Sequence, residues 1–95
     1  HMHNTWGMGL AGVLAALEAG VTKFDSSLAG LGGCPYLPGA TGNVATEDLT
    51  FMLNEMGIET GIDLKKLIPA GQLVRRIVKD QGTDSVIQKN QDRRN

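Results

Sequence analysis

Apolar positions along the chain recur at two helical spacings before they recur at any other. Leu10, Val13, Leu14 and Leu17 fall at i, i+3, i+4 and i+7, with Ala11, Ala15, Ala16 and Ala19 adding helix propensity. Thr5 stands ready as an N-cap and Gly20 as a stop, so this pattern predicts a helix over 5–19. Ala45, Leu49, Met52, Leu53 and Met56 repeat the pattern and predict a second helix over 44–56. Glu47 and Asp48 in its first turn favour the helix dipole, and Gly57 ends it. A third stripe, Leu64, Leu67, Ile68, Val74, Ile77 and Val78, follows the candidate cap Asp63 and predicts a helix over 64–80. Pro69 lies inside that span, where it removes one backbone bond and crowds the carbonyl four residues back. The expectation there is a kink or a pair of short helices.

Between the first two helices the spacing changes. Val21, Thr22 and Phe24 make a β-prone run, predicting a strand over 21–27. Helix, glycine turn and strand in that order is the rhythm of a parallel α/β fold. Residues 82–95 are polar and lack periodicity, which predicts a flexible tail behind a structured unit of residues 1–81. One or two strands with several one-faced helices cannot close a sheet. The fold class expected is therefore α/β, as the end piece of a larger barrel or sheet.

Composition narrows the chemistry. A net charge of −1 and the absence of a basic amphipathic stretch argue against nucleic acid and membrane surfaces as partners. No apolar run is long enough to span a bilayer. A single cysteine excludes an internal disulfide and fits a reducing, cytoplasmic setting.

That cysteine lies in the most unusual stretch of the chain, 29–43, which holds five glycines and two prolines. Such density describes a shaped loop, the kind of element on which function concentrates. Cys34 between Gly33 and Pro35 is open to nucleophile, acid/base or redox roles, against the commoner role of a small buried hydrophobe. His1 and His3 at i, i+2 would share a face if they lie on a strand, as a metal pair would. The plain alternative is a terminal or surface pair, or residues left by cloning. Asn43 reads locally as an N-cap or turn residue; Asp25, Ser26 and Ser27 at a strand end could line a site, against the commoner role of ordinary polar strand-end residues.

Several segments together resemble the 3-hydroxy-3-methylglutaryl-CoA lyase family. They are His-Met-His-Asn-Thr, Leu-Ala-Ala-Leu-Glu-Ala-Gly-Val, Phe-Asp-Ser-Ser and, most specifically, Gly-Leu-Gly-Gly-Cys-Pro-Tyr running to Pro-Gly-Ala-Thr-Gly-Asn-Val-Ala-Thr-Glu-Asp. The resemblance covers His1 to about Leu73. It implies the C-terminal piece of a (β/α)₈ TIM barrel. Residues 1–4 would belong to the seventh strand and 21–27 to the eighth, and the Cys34 loop would lie at the C-terminal face.

The same resemblance implies that His1, His3 and Asn43 ligate a divalent metal, Mg²⁺ or Mn²⁺, with an Asp from the first strand. It implies that Cys34 is the catalytic cysteine and that His1 also transfers protons. It further implies that the substrate is an acyl-CoA, cleaved to acetyl-CoA and acetoacetate, and that the full-length enzyme is a homodimer. Departures are the missing first strand with its Asp, Trp6 in place of Tyr or Arg, Pro69, and the tail after Gly82. They lead to the expectation of a fragment that is inactive alone. Two alternatives stand beside it. One is a Claisen-type synthase of the same superfamily, whose loop carries Glu-Arg where this chain has Gly-Cys-Pro-Tyr. The other is a non-catalytic remnant that binds or oligomerises.

Overall fold

The computed structural model describes residues 1–32, 42–78 and 85–94. Four α-helices account for most of them: α1 (Gly9–Glu18), α2 (Thr46–Glu55), α3 (Leu64–Ile77) and α4 (Val86–Arg94). Short 3₁₀ turns at Thr5–Gly7 and Leu28–Gly30 lie on either side of α1.

α1 starts later than the periodicity predicts. Trp6 and Gly7 have φ of 55° and 74°, and left-handed backbone cannot continue into an α-helix. The Asn4 side chain meets the helix start, accepting from the Gly9 amide at 3.2 Å, so Thr5 is not the cap. The stop is as expected. Gly20 takes φ 99°, its amide bonds the Leu17 carbonyl, and the Val21 amide bonds the Ala16 carbonyl. This doubly bonded αL ending satisfies carbonyls that the helix leaves open. Gly57, with φ 78°, ends α2 through the same pair of bonds, to Asn54 and Leu53.

The expected strand over 21–27 does not form as a strand. Among the described residues there are only isolated bridges, His3 with Asn43 (antiparallel) and Ser27 with Ala45 (parallel). A β-prone segment becomes a strand only when a neighbour takes its amides and carbonyls. Here that neighbour is met at Ser27 alone, whose amide bonds Val44 and whose carbonyl accepts from Thr46.

α3 runs as one helix through Pro69. Its cap is the one the sequence indicates, with Asp63 Oδ1 accepting from the Lys65 amide at 3.0 Å. Its inner face follows the predicted stripe, with Leu64, Leu67, Ile68 and Val74 half-buried, except at the C-terminal end. Gly71 and Arg75 on that face are buried, while Ile77 is 69% exposed. α4 meets the same face with polar side chains, Gln88 beside Gly71 and Asp92 on Arg75.

α4 itself replaces the flexible tail expected from polarity. Ser85 and Gln88 form its entry, the Gln88 amide donating to Ser85 Oγ at 3.1 Å. Asp48 of α2 then caps α4 from outside. Its carboxylate accepts from Ser85 Oγ, Val86 N and Ile87 N at 2.8, 2.9 and 3.0 Å. Arg75 closes the far end with a two-pronged bond to Asp92 at 3.1 and 3.0 Å. Polar segments order when their charges are met this specifically.

The apolar core is small: Val13, Val44 and Leu49, flanked by Met2, Leu10, Phe24, Met52 and Leu53. It joins the His1–Asn4 segment, α1 and α2 into one body, which is what brings the two ends of the candidate site together.

Candidate metal and loop site

The His1–Asn4 segment lies along residues 42–44. Val44 N donates to the Met2 carbonyl at 2.9 Å and Asn4 N to the Gly42 carbonyl at 3.0 Å. Met2 turns inward, against Gly12 and the core. Alternation then puts His1 and His3 together on the other side. Their ring centroids are 5.1 Å apart at 78°. His1 Nδ1 is also 3.7 Å from the Asp25 carboxylate, so that acid faces His1.

Asn43 is not the helix cap suggested by local pattern; Ala45 holds that position. Instead it sits opposite His3. The Leu31 carbonyl accepts from Asn43 N at 3.3 Å, from Asn43 Nδ2 at 3.2 Å and from Ser27 Oγ at 2.6 Å. One carbonyl thus ties the two ends of the glycine-rich loop. With Nδ2 committed, Asn43 Oδ1 is buried and has no hydrogen-bond partner.

Two glycines make this neck possible. Gly32 has φ 111°, and a Cβ there would come 2.6 Å from Asn43 Nδ2. A Cβ on Gly42 would collide with the Gly30 carbonyl. The neighbouring Ala29 holds φ 56° without being glycine, buried to 1% exposure. Both Glu47 oxygens accept its amide, at 2.9 and 3.0 Å.

Cys34 lies outside the described residues, within 33–41. Of the candidates, the structure sets the His1 and His3 rings side by side, pairs the backbone of His3 with that of Asn43, and adds Asp25 beside His1. Among the described residues no three His, Cys, Asp or Glu side chains gather as a metal site. A groove of about 430 Å³ bordered by Leu17, Phe24, Ser26, Leu49 and Leu53 contains none of His1, His3 and Asn43.

Sequence reasoning missed Gln88 and the true work of Glu47 and Asp48. Signals were present. Ser85-x-x-Gln88 has the spacing of a capping box, and Asp48 lies four residues before Met52 on the edge of the buried stripe. No helix among the described residues is long and apolar enough to cross a membrane.

Solved structures share this fold. A hydroxymethylglutaryl-CoA lyase from Pseudomonas aeruginosa superposes with a TM-score of 0.86 at 44% identity, over 100% of this chain and 31% of that one. An HMG-CoA lyase from Acinetobacter baumannii, solved with coenzyme A and 3-methylmalate, gives 0.83 at 49% identity, over 94% of this chain and 29% of that one. Among curated relatives, the mitochondrial hydroxymethylglutaryl-CoA lyase of Gallus gallus is 58% identical over 74 residues, 78% of this chain and 25% of that protein. The cytoplasmic 3-hydroxy-3-methylglutaryl-CoA lyase of Mus musculus is 50% identical over 88 residues, 93% of this chain and 26% of that protein. The chain thus spans about a quarter of the length of these relatives, and its likeness to them does not distinguish the two compartments. The sequence pattern of the HMGL-like family matches residues 1–74, and the chain belongs to that family.

Proposed function

We propose that this chain carries the metal-binding and loop end of a 3-hydroxy-3-methylglutaryl-CoA lyase, as the last part of a TIM barrel. The observation that carries the reading is the buried Asn43 Oδ1 without a partner, set opposite His3 at the neck of the Cys34 loop. A buried acceptor left unmet costs about 1–3 kcal/mol. A cation would remove that cost, and two imidazoles with an amide oxygen form a donor set that suits one. In this reading His1, His3 and Asn43 hold Mg²⁺ or Mn²⁺. When bound, that ion supplies Lewis-acid polarisation of the substrate's oxygens.

The chain's own residues then move protons. One ring nitrogen of His1 would be given to the ion, so only the other is left to take a proton; Nδ1 is the one that faces Asp25, at 3.7 Å. His1 takes the proton of the substrate's tertiary hydroxyl, and the O–H electrons form the ketone as the adjacent C–C bond breaks. Acetoacetate leaves, and the released pair stands on the acetyl-CoA enolate. Cys34 gives its proton to that carbon, and the proton taken up by His1 restores the thiol, so both groups return to their starting state. The Leu31 carbonyl ties Leu31 to Asn43, the residue opposite His3, so the two flanks of the segment carrying Cys34 are held together there. The acyl-CoA substrate is supported by the coenzyme A bound to the A. baumannii relative. The relatives named above are lyases, and they lend the synthase and remnant readings no support.

The test is a chimera in which this chain replaces the matching 31% of the P. aeruginosa lyase. Acetoacetate release with Mn²⁺ is expected. Asn43→Ala should weaken Mn²⁺ binding by roughly tenfold or more, read by titration. Cys34→Ser should leave that titration unchanged and lower kcat by roughly 10²–10⁴. A folded chimera that binds Mn²⁺ but releases no acetoacetate, or full turnover by Cys34→Ser, overturns the reading.

A further inference from the structure

Glu47 and Gln88 are both fully buried, and the chemistry above uses neither. Gln88 Nε2 donates to Glu47 Oε2 at 2.8 Å and to the Ile68 carbonyl at 2.9 Å. The amide orientation follows from those partners, because the reversed side chain would point its oxygen at a carboxylate and a carbonyl. The pair sits on bare backbone of α3: a Cβ on Gly71 would come 2.5 Å from both Gln88 Nε2 and Glu47 Oε2. On its other side Glu47 accepts the amide of Ala29 with both oxygens. Ala29 is the strained residue of the loop entrance, at φ 56° and ψ 14°, a region L side chains avoid.

A buried carboxylate stays where its donors are. Ala29 supplies one and α4 supplies the other. We infer that Gln88 is a positioning residue: it holds Glu47 on the strained Ala29, so that docking of the C-terminal helix and the pose of the loop entrance are one coupled equilibrium. That the loop performs proton transfer rests on the function proposed above; the coupling itself does not. An ordinary packing role for α4 would behave differently. Leucine at 88 has similar bulk and would then leave Ala29 undisturbed.

The experiment is amide hydrogen exchange by NMR on the full 95-residue chain, read at Ala29. Gln88→Leu removes the donor and should speed exchange at Ala29 by roughly tenfold or more, the loss expected for one charge-assisted bond. Gln88→Glu sets a carboxylate against Glu47 and should speed it further. Adding Glu47→Gln to Gln88→Glu restores a donor–acceptor pair with its direction reversed, and should recover at least about threefold of the loss. The inference is overturned if Gln88→Leu leaves Ala29 unchanged, if the swap recovers nothing, or if Ala29 of the unsubstituted chain exchanges at open-chain rates. The chimera's turnover is a separate readout, so failure of the coupling and failure of the lyase reading are distinguishable.

Discussion

Replacing Asp48 by alanine should undock α4 while leaving α2 in place. The carboxylate is 7% exposed and receives three donors from the start of α4, Ser85 Oγ, Val86 N and Ile87 N. The two amides behave as a helix cap, and losing a cap costs about 0.5–2 kcal/mol. Val86 is 65% exposed, so water reaches part of what Asp48 releases and the cap figure need not be exceeded. Ser85 is fully buried, and a buried hydroxyl that loses its acceptor costs about 1–3 kcal/mol more. Together these give about 1.5–5 kcal/mol, which at tenfold per 1.4 kcal/mol is roughly a 10- to 4000-fold change in the docking equilibrium. The assay is exchange at the Lys89 amide, bonded to the Ser85 carbonyl within α4, against the Leu49 amide, bonded to Ala45 at the start of α2. Lys89 should lose protection by that factor. Leu49 should change by no more than the roughly 0.3–1 kcal/mol of a first-turn acid. Asp48→Asn keeps one acceptor and turns an NH₂ toward the Val86 amide, so it should fall between. A change below about threefold at Lys89 in the alanine variant would refute the capping account, since even the smallest cap loss approaches that factor.

Three further outcomes are expected. Gly32→Ala adds a Cβ 2.6 Å from Asn43 Nδ2 at φ 111°, so it should destabilise the chain by roughly 1–3 kcal/mol and weaken Mn²⁺ binding; an unchanged thermal midpoint would argue against the tied neck. The guanidinium of Arg75, through its hydrogen bond first, holds the Asp92 carboxyl below its ordinary value. A depressed acid stabilises the fold above its unfolded value of about 3.9, and that share is lost as pH falls through the folded value. α4 protection should therefore drop below about pH 4, and Asp92→Asn should remove that pH-sensitive share; an identical acid profile in the variant would contradict it. The chain alone should release no acetoacetate, because the resemblance places one metal ligand on a strand outside it; release above a metal-free control would refute this.

Much of the outline was legible in the chain. The stripes of α1 and α2 are local facts: 3.6-residue spacing, a glycine able to take positive φ at Gly20 and Gly57, an acid cap at Asp63. The site candidates were legible as residue types, and their resemblance to one family as an ordered set of motifs. Local pattern fails where a residue's partner is far away in sequence. Nothing near 21–27 says that its neighbour is met only at Ala45, so β propensity alone overstates the strand. Nothing near Asn43 says that its amide is claimed by Leu31 and its oxygen left over.

The α4 segment shows the division most clearly. Its polarity gives it no apolar face with which to bury itself, so periodicity predicts a loose tail. Tertiary structure orders it through charge instead, with Asp48 thirty-seven residues from Ser85, Glu47 forty-one from Gln88 and Arg75 seventeen from Asp92. Hydrophobic burial is nearly indifferent to which partner covers a side chain, and so it leaves a periodic trace in the sequence. Charge-assisted hydrogen bonds require one partner in one geometry, and that requirement is written only where the chain has brought the two together.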